Sequence, residues 1–278
     1  MQPVQSGTLC GRFELVFSRH GARTHVGRQF VSYPFHMTRP FALDAAIPSL
    51  LTVYQQSSSG GLYRAEQLSS RYELGALAAA HVTTQAATIV HDCHGQPARQ
   101  DSEVVLEEGA FLALTPDPLV LFPGASCSTT LRTRLAPGAV LFLSDAFACH
   151  DPDGQSRPFD QVSSDLRIED HSGRLLVRDS FRVSGKALTG PASPIGRWRV
   201  VANFMLLGDH ERLPTRDALA GLSQTPQLVT GVTVLPNGAG WGVRCLATDA
   251  IATRGMAEHL FTLTVRAAFG QQPAPRRK

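Results

Sequence analysis

Apolar residues at every second position are the dominant pattern of this chain, and they predict β-strands. Phe13, Leu15 and Phe17 show the pattern first, and a period of two is typical of a strand with one buried face. Runs rich in apolar and β-branched residues, separated by glycine and proline turns, predict further strands. They cover residues 49–55, 68–74, 103–108, 119–122, 130–137, 163–169, 175–181 and 198–207. No segment before Leu207 has a convincing helical period.

The segment from His81 to His94 begins as a strand-like run and ends in a dense group of possible metal ligands. The small side chains of residues 83–88 fit a strand beside an internal passage. His91, Cys93 and His94 supply imidazole and thiolate groups that suit nickel or zinc. Residues 91 and 93 face one side of an extended chain and residue 94 faces the other, so convergence requires a bend. A polar strand end with solvated histidines is the favoured interpretation.

A Gly-Ala pair followed by two small or apolar residues occurs three times, each time after a predicted strand. The pairs are Gly75-Ala76, Gly109-Ala110 and Gly138-Ala139, and their spacing of roughly 30 residues is typical of structural repeats. Glycine at such places supplies the positive φ of a tight turn. The repetition predicts strand pairs that stack one on another in an elongated β architecture.

The C-terminal part changes character. A short helix is predicted over residues 215–222 with Thr215 as its cap, and a longer one over residues 248–268 with Thr248 as its cap. Between them, residues 231–246 resemble a hairpin around Pro236-Asn237-Gly238. The predicted organisation is a single domain over residues 1–278. It has a β scaffold over residues 10–207, a helix-containing part over residues 208–270 and a frayed basic tail over residues 271–278.

Composition excludes several classes of function. The net charge of +3 is too small to favour a nucleic-acid partner, and no apolar run approaches the roughly 18 residues that cross a bilayer. The five cysteines are scattered and odd in number, which disfavours a disulfide framework. We therefore expect a cytoplasmic protein without a membrane partner.

Common catalytic motifs are missing from the sequence. There is no phosphate-binding P-loop, no G-x-S-x-G elbow and no H-E-x-x-H zinc helix. His150 and Asp151, with Asp145 upstream, fit a carboxylate-oriented histidine, although a surface loop is the favoured interpretation. Glu66 is a lone carboxylate near an apolar strand, and such a group is usually solvated.

Two alternatives remain open from the residues alone. One is a metal-dependent hydrolase on a β scaffold, which would use His91, His94, His150 and Asp151. The other is a β-sheet module that binds another protein. The hydrolase requires its four side chains to lie within mutual reach.

Several short motifs, in order along nearly the whole chain, resemble those of the UreD (or UreH) family of urease accessory proteins. The strongest is residues 83–88, Thr-Thr-Gln-Ala-Ala-Thr. The others are residues 21–24, 33–34, 39–41, 60–61, 109–110, 116–119, 122–125, 145 and 243–246. The chain departs from the family pattern at Ala65-Glu66, at Ile89 and His91, and at His150-Asp151.

The resemblance implies an all-β, two-layered superhelix of stacked antiparallel strands with a small helical C-terminal part. It also implies a non-enzymatic scaffold that helps nickel reach urease. It implies binding to apo-urease, to a UreF-like accessory protein and, through UreF, to a UreG-like GTPase. Nickel would be bound transiently, and no cofactor would be bound tightly. Glu66, Thr84, Gln85 and Asp145 match motif positions expected to line an internal metal path. Oxygen ligands suit such a path because they release nickel more readily than a thiolate would.

Overall fold

The computed structural model describes residues 8–190, 192–222 and 224–275. Two β-sheets lie face to face, and one long helix covers the outer face of the second sheet. The first sheet, sheet A, contains β1 (Cys10–His20), β2 (Arg23–Val31), β5 (Gln67–Leu74), β8 (Ala98–Leu106), β11 (Ser126–Leu135), β13 (Gln161–Asp170) and β14 (Leu175–Ser184).

Sheet B has ten strands. Its strands are β3 (Phe35–Met37), β4 (Leu50–Ser57), β6 (Ala79–Thr84), β7 (Thr88–Val90), β9 (Phe111–Thr115), β10 (Leu119–Leu121), β12 (Val140–Cys149), β15 (Val200–Leu207), β16 (Leu228–Val234) and β17 (Gly240–Ala247). The helices are α1 (Gly185–Thr189), α2 (Arg216–Ala220) and α3 (Ala250–Phe269).

The all-β, two-layered fold with a small helical C-terminal part is confirmed, but the strand direction inside the stack is not antiparallel. β1, β5, β8, β11 and β13 pair in parallel, and so do β4, β6, β9 and β12. Antiparallel pairs occur towards the ends of the sheets, for example between β1 and β2 and between β13 and β14. The chain crosses from one sheet to the other at each repeat, so strands of the same sheet run in the same direction.

The predicted Gly-Ala repeats are the corners where the chain passes from sheet A to sheet B. Gly109 and Gly138 have φ values of +65° and +68°, and Leu77 has the equivalent φ of +60° in the first corner. The first copy therefore aligns on Leu77 rather than on Gly75. Glycine avoids the steric cost that Leu77 bears at this φ.

The long helix α3 agrees with the predicted C-terminal helix, although its cap differs. The carboxylate of Asp249 accepts a hydrogen bond from the Ala252 amide at 2.9 Å, and the Thr248 hydroxyl donates to that carboxylate at 3.0 Å. Asp249 rather than Thr248 is therefore the cap. The predicted Thr215 cap of α2 is confirmed, since its hydroxyl accepts from the Ala218 amide at 3.2 Å.

Three other local predictions are corrected. Residues 83–88 do not form one strand, because β6 ends at Thr84 and the chain bends before β7 begins at Thr88. The short helix α1 lies in a region expected to lack helices. The predicted tail does not fray throughout, because the Ala274 amide donates to Asp44 at 2.6 Å and Pro273 is buried; residues 276–278 lie outside the described residues.

Helix α3 buries the outer face of sheet B. Phe261 stacks on His81 at a ring separation of 4.4 Å, and Phe269 meets Phe111 edge-on at 5.0 Å. Strand β9 is buried along its whole length because sheet A covers its other face, which explains its continuous rather than alternating apolar sequence. Among the described residues, no helix is long and apolar enough to cross a membrane.

Candidate functional site

A cavity of about 610 Å³ lies between the two sheets. Its walls include polar side chains at inward-facing positions of several neighbouring strands. Gln55 pairs with Thr84 across β4 and β6, and Ser70 pairs with Ser102 across β5 and β8. The Gln55 amide donates to the Ser70 hydroxyl at 3.2 Å, which links the two sheets across the space. We call these inward-facing polar positions the polar belt.

Apolar layers flank the polar belt on both sides. Along β5, Leu68 belongs to one buried apolar cluster and Leu74 belongs to another, with Ser70 between them. This order is unusual for a two-sheet protein, whose inner faces are normally apolar throughout. The polar groups in the wall of this cavity can form hydrogen bonds to water or to a hydrated ion.

The structure places three of the four predicted path residues in the wall of this cavity. Thr84, Gln85 and Asp145 all line it. The Thr84 hydroxyl accepts a hydrogen bond from the Asp117 amide at 2.9 Å, and the Gln85 amide oxygen accepts from Gln56. Thr84 ends β6 and Gln85 follows in the exposed bend, so the strongest sequence motif lies at the cavity mouth.

Asp145 lies on the inner face of β12, between the two sheets. Its carboxylate accepts a hydrogen bond from the Ser164 hydroxyl at 2.8 Å. Burial raises the pKa of Asp145 above its ordinary value, the Ser164 bond opposes this shift, and the nearby Asp179 carboxylate adds to it. A desolvated carboxylate in this position favours a proton or a metal cation as its counter-charge.

The raised pKa of Asp145 predicts that this residue costs stability at neutral pH. Its folded form holds the proton more tightly than the unfolded chain does, so stability falls as pH rises from about 3.8 through the raised pKa. Asp145→Asn removes the charge and keeps an acceptor for Ser164. We expect it to raise the free energy of unfolding at pH 7 by about 1 kcal/mol, with a difference that shrinks as the pH approaches 3.8.

Urea denaturation of both proteins across that pH range measures the effect. Asp165→Asn is the matched control, because Asp165 is an exposed aspartate that pairs with Arg178 at 3.2 Å. A destabilised Asp145→Asn variant at pH 7 would contradict the assignment of Asp145 as a desolvated charge.

Glu66, the fourth predicted path residue, lies behind the cavity wall rather than in it. It is 7% exposed, and its carboxylate accepts a hydrogen bond from the Tyr63 amide at 3.1 Å. Burial raises the pKa of Glu66, while the Tyr63 bond and the nearby His91 oppose the shift. Glu66 belongs to the same loop as Gly60 and Gly61, which do line the cavity.

The His91 side chain holds that loop in place by contacting the backbone of Gly60 and the ring of Tyr63. Its ring stacks on Tyr63 with centroids 4.4 Å apart, and its Nε2 lies 3.1 Å from the Gly60 carbonyl. A Cβ at Gly61 would lie 2.3 Å from the Ile89 carbonyl oxygen, so only glycine permits this close approach. The departure from the family pattern at His91 therefore has a structural role beside the cavity mouth.

The possible ligands His91, Cys93 and His94 do not converge. The chain bends there, since His94 has a φ of +46°. The buried Cys93 thiol nevertheless donates to the backbone carbonyls of His91 and Ser126, and His94 remains exposed beside Asp92. Within residues 8–190, 192–222 and 224–275, no group of three or more His, Cys, Asp or Glu side chains is placed to hold a metal ion.

The residues of the hydrolase alternative also fail to form a catalytic group. Phe122 separates His91 from His150, with ring centroids 5.7 Å and 5.6 Å from the two histidines. Asp151 binds Arg157 at 2.7 Å, and this hydrogen-bonded pair lowers the pKa of Asp151. Asp151 therefore caps its own loop instead of orienting His150.

A second cavity of about 490 Å³ shares Asp145 with the first and lies towards β14 and β17. Its wall is largely apolar, but it contains Asp179, Asn203 and Arg244. Sequence reasoning assigned no role to these three residues. One signal was available: Asn203 is the single polar residue of β15, Val-Val-Ala-Asn-Phe-Met-Leu-Leu.

Fold and cavities together define a two-sheet β-stack protein with a polar belt between its sheets. A sequence model described as UreD urease accessory protein matches residues 9–278. A urease accessory protein UreD 1 of Methylorubrum populi is 44% identical over 95% of this chain and 90% of its own length. The corresponding values are 42%, 93% and 91% for a UreD 1 of Bradyrhizobium sp. BTAi1, and 37%, 92% and 90% for one of Pseudomonas syringae pv. syringae.

The chain therefore belongs to the UreD family of urease accessory proteins. The resemblance drawn from the short motifs is confirmed, and with it a role among urease accessory proteins.

Proposed function

We propose that this protein is a non-catalytic scaffold that guides nickel to apo-urease through its polar interior. The observation that carries the proposal is the position of Asp145, whose carboxylate lines both cavities between the sheets. Thr84 and Gln85 at the mouth of the first cavity give nickel oxygen ligands before it reaches Asp145.

The chemistry of the lining favours transit over storage. The lining residues named above offer hydroxyl, amide and carboxylate oxygens, whereas Cys93 and Cys127 lie in an apolar cluster beside the cavity. Burial raises the pKa of the Cys127 thiol to about 12, so this thiol does not present a thiolate to a passing ion at neutral pH. Nickel is then held by weak oxygen ligands that exchange readily.

The proposed partners are those of the urease maturation machinery. We propose that apo-urease and a UreF-like accessory protein bind this scaffold, and that UreF brings a UreG-like GTPase. Purification of a tagged chain from its own cells at near-native expression should recover urease subunits and the UreF-like protein. Recovery of neither would contradict the proposal.

The nickel path has a separate test. Asp145→Asn should lower the nickel content of co-expressed urease, measured by mass spectrometry of the purified enzyme, by about tenfold or more. Complex formation should persist, because Asp145 lies between the sheets and not on the outer surface. Glu66→Gln keeps the hydrogen-bond acceptor for the Tyr63 amide. It tests whether the negative charge of Glu66, behind the cavity wall, also affects nickel loading of urease.

Asp165→Asn serves again as the control, since it removes an exposed carboxylate from the same sheet as Ser164. Normal nickel content in urease matured by Asp145→Asn would overturn the proposed path. It would leave the accessory role itself intact.

A further inference from the structure

An ion pair lies in the second cavity, next to Asp145. Nη2 of Arg244 donates to both carboxylate oxygens of Asp179, at 3.0 Å and 3.1 Å. The side-chain amide of Asn203 donates to the same carboxylate at 2.7 Å. The Arg244 side chain is 69% exposed and that of Asp179 is 22% exposed, so the arginine reaches inward from the surface.

The register of sheet B places this ion pair directly beyond the proposed nickel path. Asp145 pairs with Asn203 across β12 and β15, and Asn203 pairs with Arg244 across β15 and β17. These three residues form one row across neighbouring strands. Asp179 faces the row from sheet A and influences Asp145 electrostatically. A cation that leaves Asp145 towards the second cavity therefore meets Asp179 next, and finds it already paired.

The permanent charge and the exposure of the Arg244 side chain determine what this ion pair does to a metal cation. A guanidinium keeps its positive charge at any physiological pH, so it repels a second cation at Asp179 for as long as it is bound. The Arg244 side chain is long and 69% exposed, whereas Asp179 is 22% exposed and is also held by Asn203, so the guanidinium is the partner with access to solvent. Arg244 can therefore leave Asp179 for solvent without disturbing the sheets.

We propose that Arg244 is a tethered cation that occupies Asp179 and closes the second cavity to free divalent metal. This inference rests on the proposed nickel path and adds to it a residue that controls how the path ends. Arg244 does not bind nickel itself and acts on the path only by pairing with Asp179. The competing explanation is a simple ion pair that holds the two sheets together.

Nickel binding by the purified full-length protein distinguishes the two explanations. Isothermal titration with Ni²⁺ at low ionic strength should show about tenfold tighter binding for Arg244→Met than for the natural protein. Arg244→Lys should retain the natural affinity, because it keeps the positive charge. Asp179→Asn combined with Arg244→Met should lose the gain.

Arg178→Met is the matched control. Arg178 lies next to Asp179 on β14 but pairs with Asp165 on the outer side, at 3.2 Å, so its removal should leave nickel affinity unchanged. An Arg244→Met variant that binds nickel no more tightly than the Arg178→Met variant would overturn the proposal. Loss of thermal stability without a change in affinity would identify the ion pair as structural and would also overturn it.

The titration is independent of urease. If Asp145→Asn matures urease normally, the nickel path fails whatever Arg244 does. If Asp145→Asn blocks maturation but Arg244→Met leaves nickel affinity unchanged, the path stands and the role of Arg244 fails.

Discussion

Tryptophan in place of Ser102 is expected to abolish urease maturation while leaving the protein folded. Ser102 lies on the inner face of β8 and lines the first cavity, between the mouth at Thr84 and the carboxylate of Asp145. The indole ring would enter the cavity, so it should fit without the strain of overpacking a filled core. It would nevertheless obstruct the polar belt through which nickel is proposed to pass.

Urease activity and nickel content in a co-expression strain measure this effect, and circular dichroism checks the fold. Ser102→Ala is expected to be neutral, since it opens the cavity further. Val105→Trp adds the same ring on the outer face of β8 and should leave maturation intact. Normal urease in the Ser102→Trp strain would show that nickel does not use this cavity.

Alanine in place of Gly240 is expected to destabilise the protein by about 3 kcal/mol. Gly240 begins β17 with a φ of +131°, and a Cβ there would lie 2.0 Å from the Leu206 carbonyl oxygen on β15. No side-chain rotation can relieve this clash, because the atom that the methyl group meets belongs to the backbone. The two strands would have to separate at a point where they pair inside sheet B.

Gly231→Ala provides the comparison on the adjacent strand β16. A Cβ at Gly231 would have no atom within 4 Å, and its φ is not positive. We expect this variant to lie within about 0.5 kcal/mol of the natural protein. Equal midpoints for the two variants in urea denaturation would contradict the steric explanation.

The sequence predicts the strands well because their side chains alternate in burial. On β13, the residues Val162, Ser164, Leu166 and Ile168 face inward and their neighbours face outward, which is the signal that a period of two provides. The direction of pairing was not predictable in the same way. A local turn such as the one at Gly109 shows that the chain changes sheets, but it carries no information on which distant strand becomes the neighbour.

The site was partly predictable, and for a different reason. Thr84, Gln85 and Asp145 were found through short motifs shared with the UreD family, and the structure brings them to one cavity. Glu66 was assigned to the same path, yet a hydrogen bond to the Tyr63 amide holds it behind the wall. Sequence position alone does not distinguish a lining residue from one that supports the lining.

His91, Cys93 and His94 show why a cluster of ligand types is weak information. The burial of Cys93 follows from its contacts with Ser126, a residue of a distant strand. Asp179 and Arg244 show the converse, because they are remote in the chain and meet only when β14 and β17 face each other. The residue types close to one position in the sequence therefore reveal neither the contact of Cys93 with Ser126 nor that of Asp179 with Arg244.

The parallel stack has a consequence for the dimensions of the molecule. Successive strands of a sheet lie about 4.8 Å apart, and each repeat adds one strand to sheet A and one to sheet B. Insertion of a further repeat would lengthen the polar belt by one such step and leave the residues at Thr84 and Arg244 with their present neighbours. The distance between the surfaces at the two ends of the protein is therefore adjustable in evolution only in whole increments, one repeat at a time.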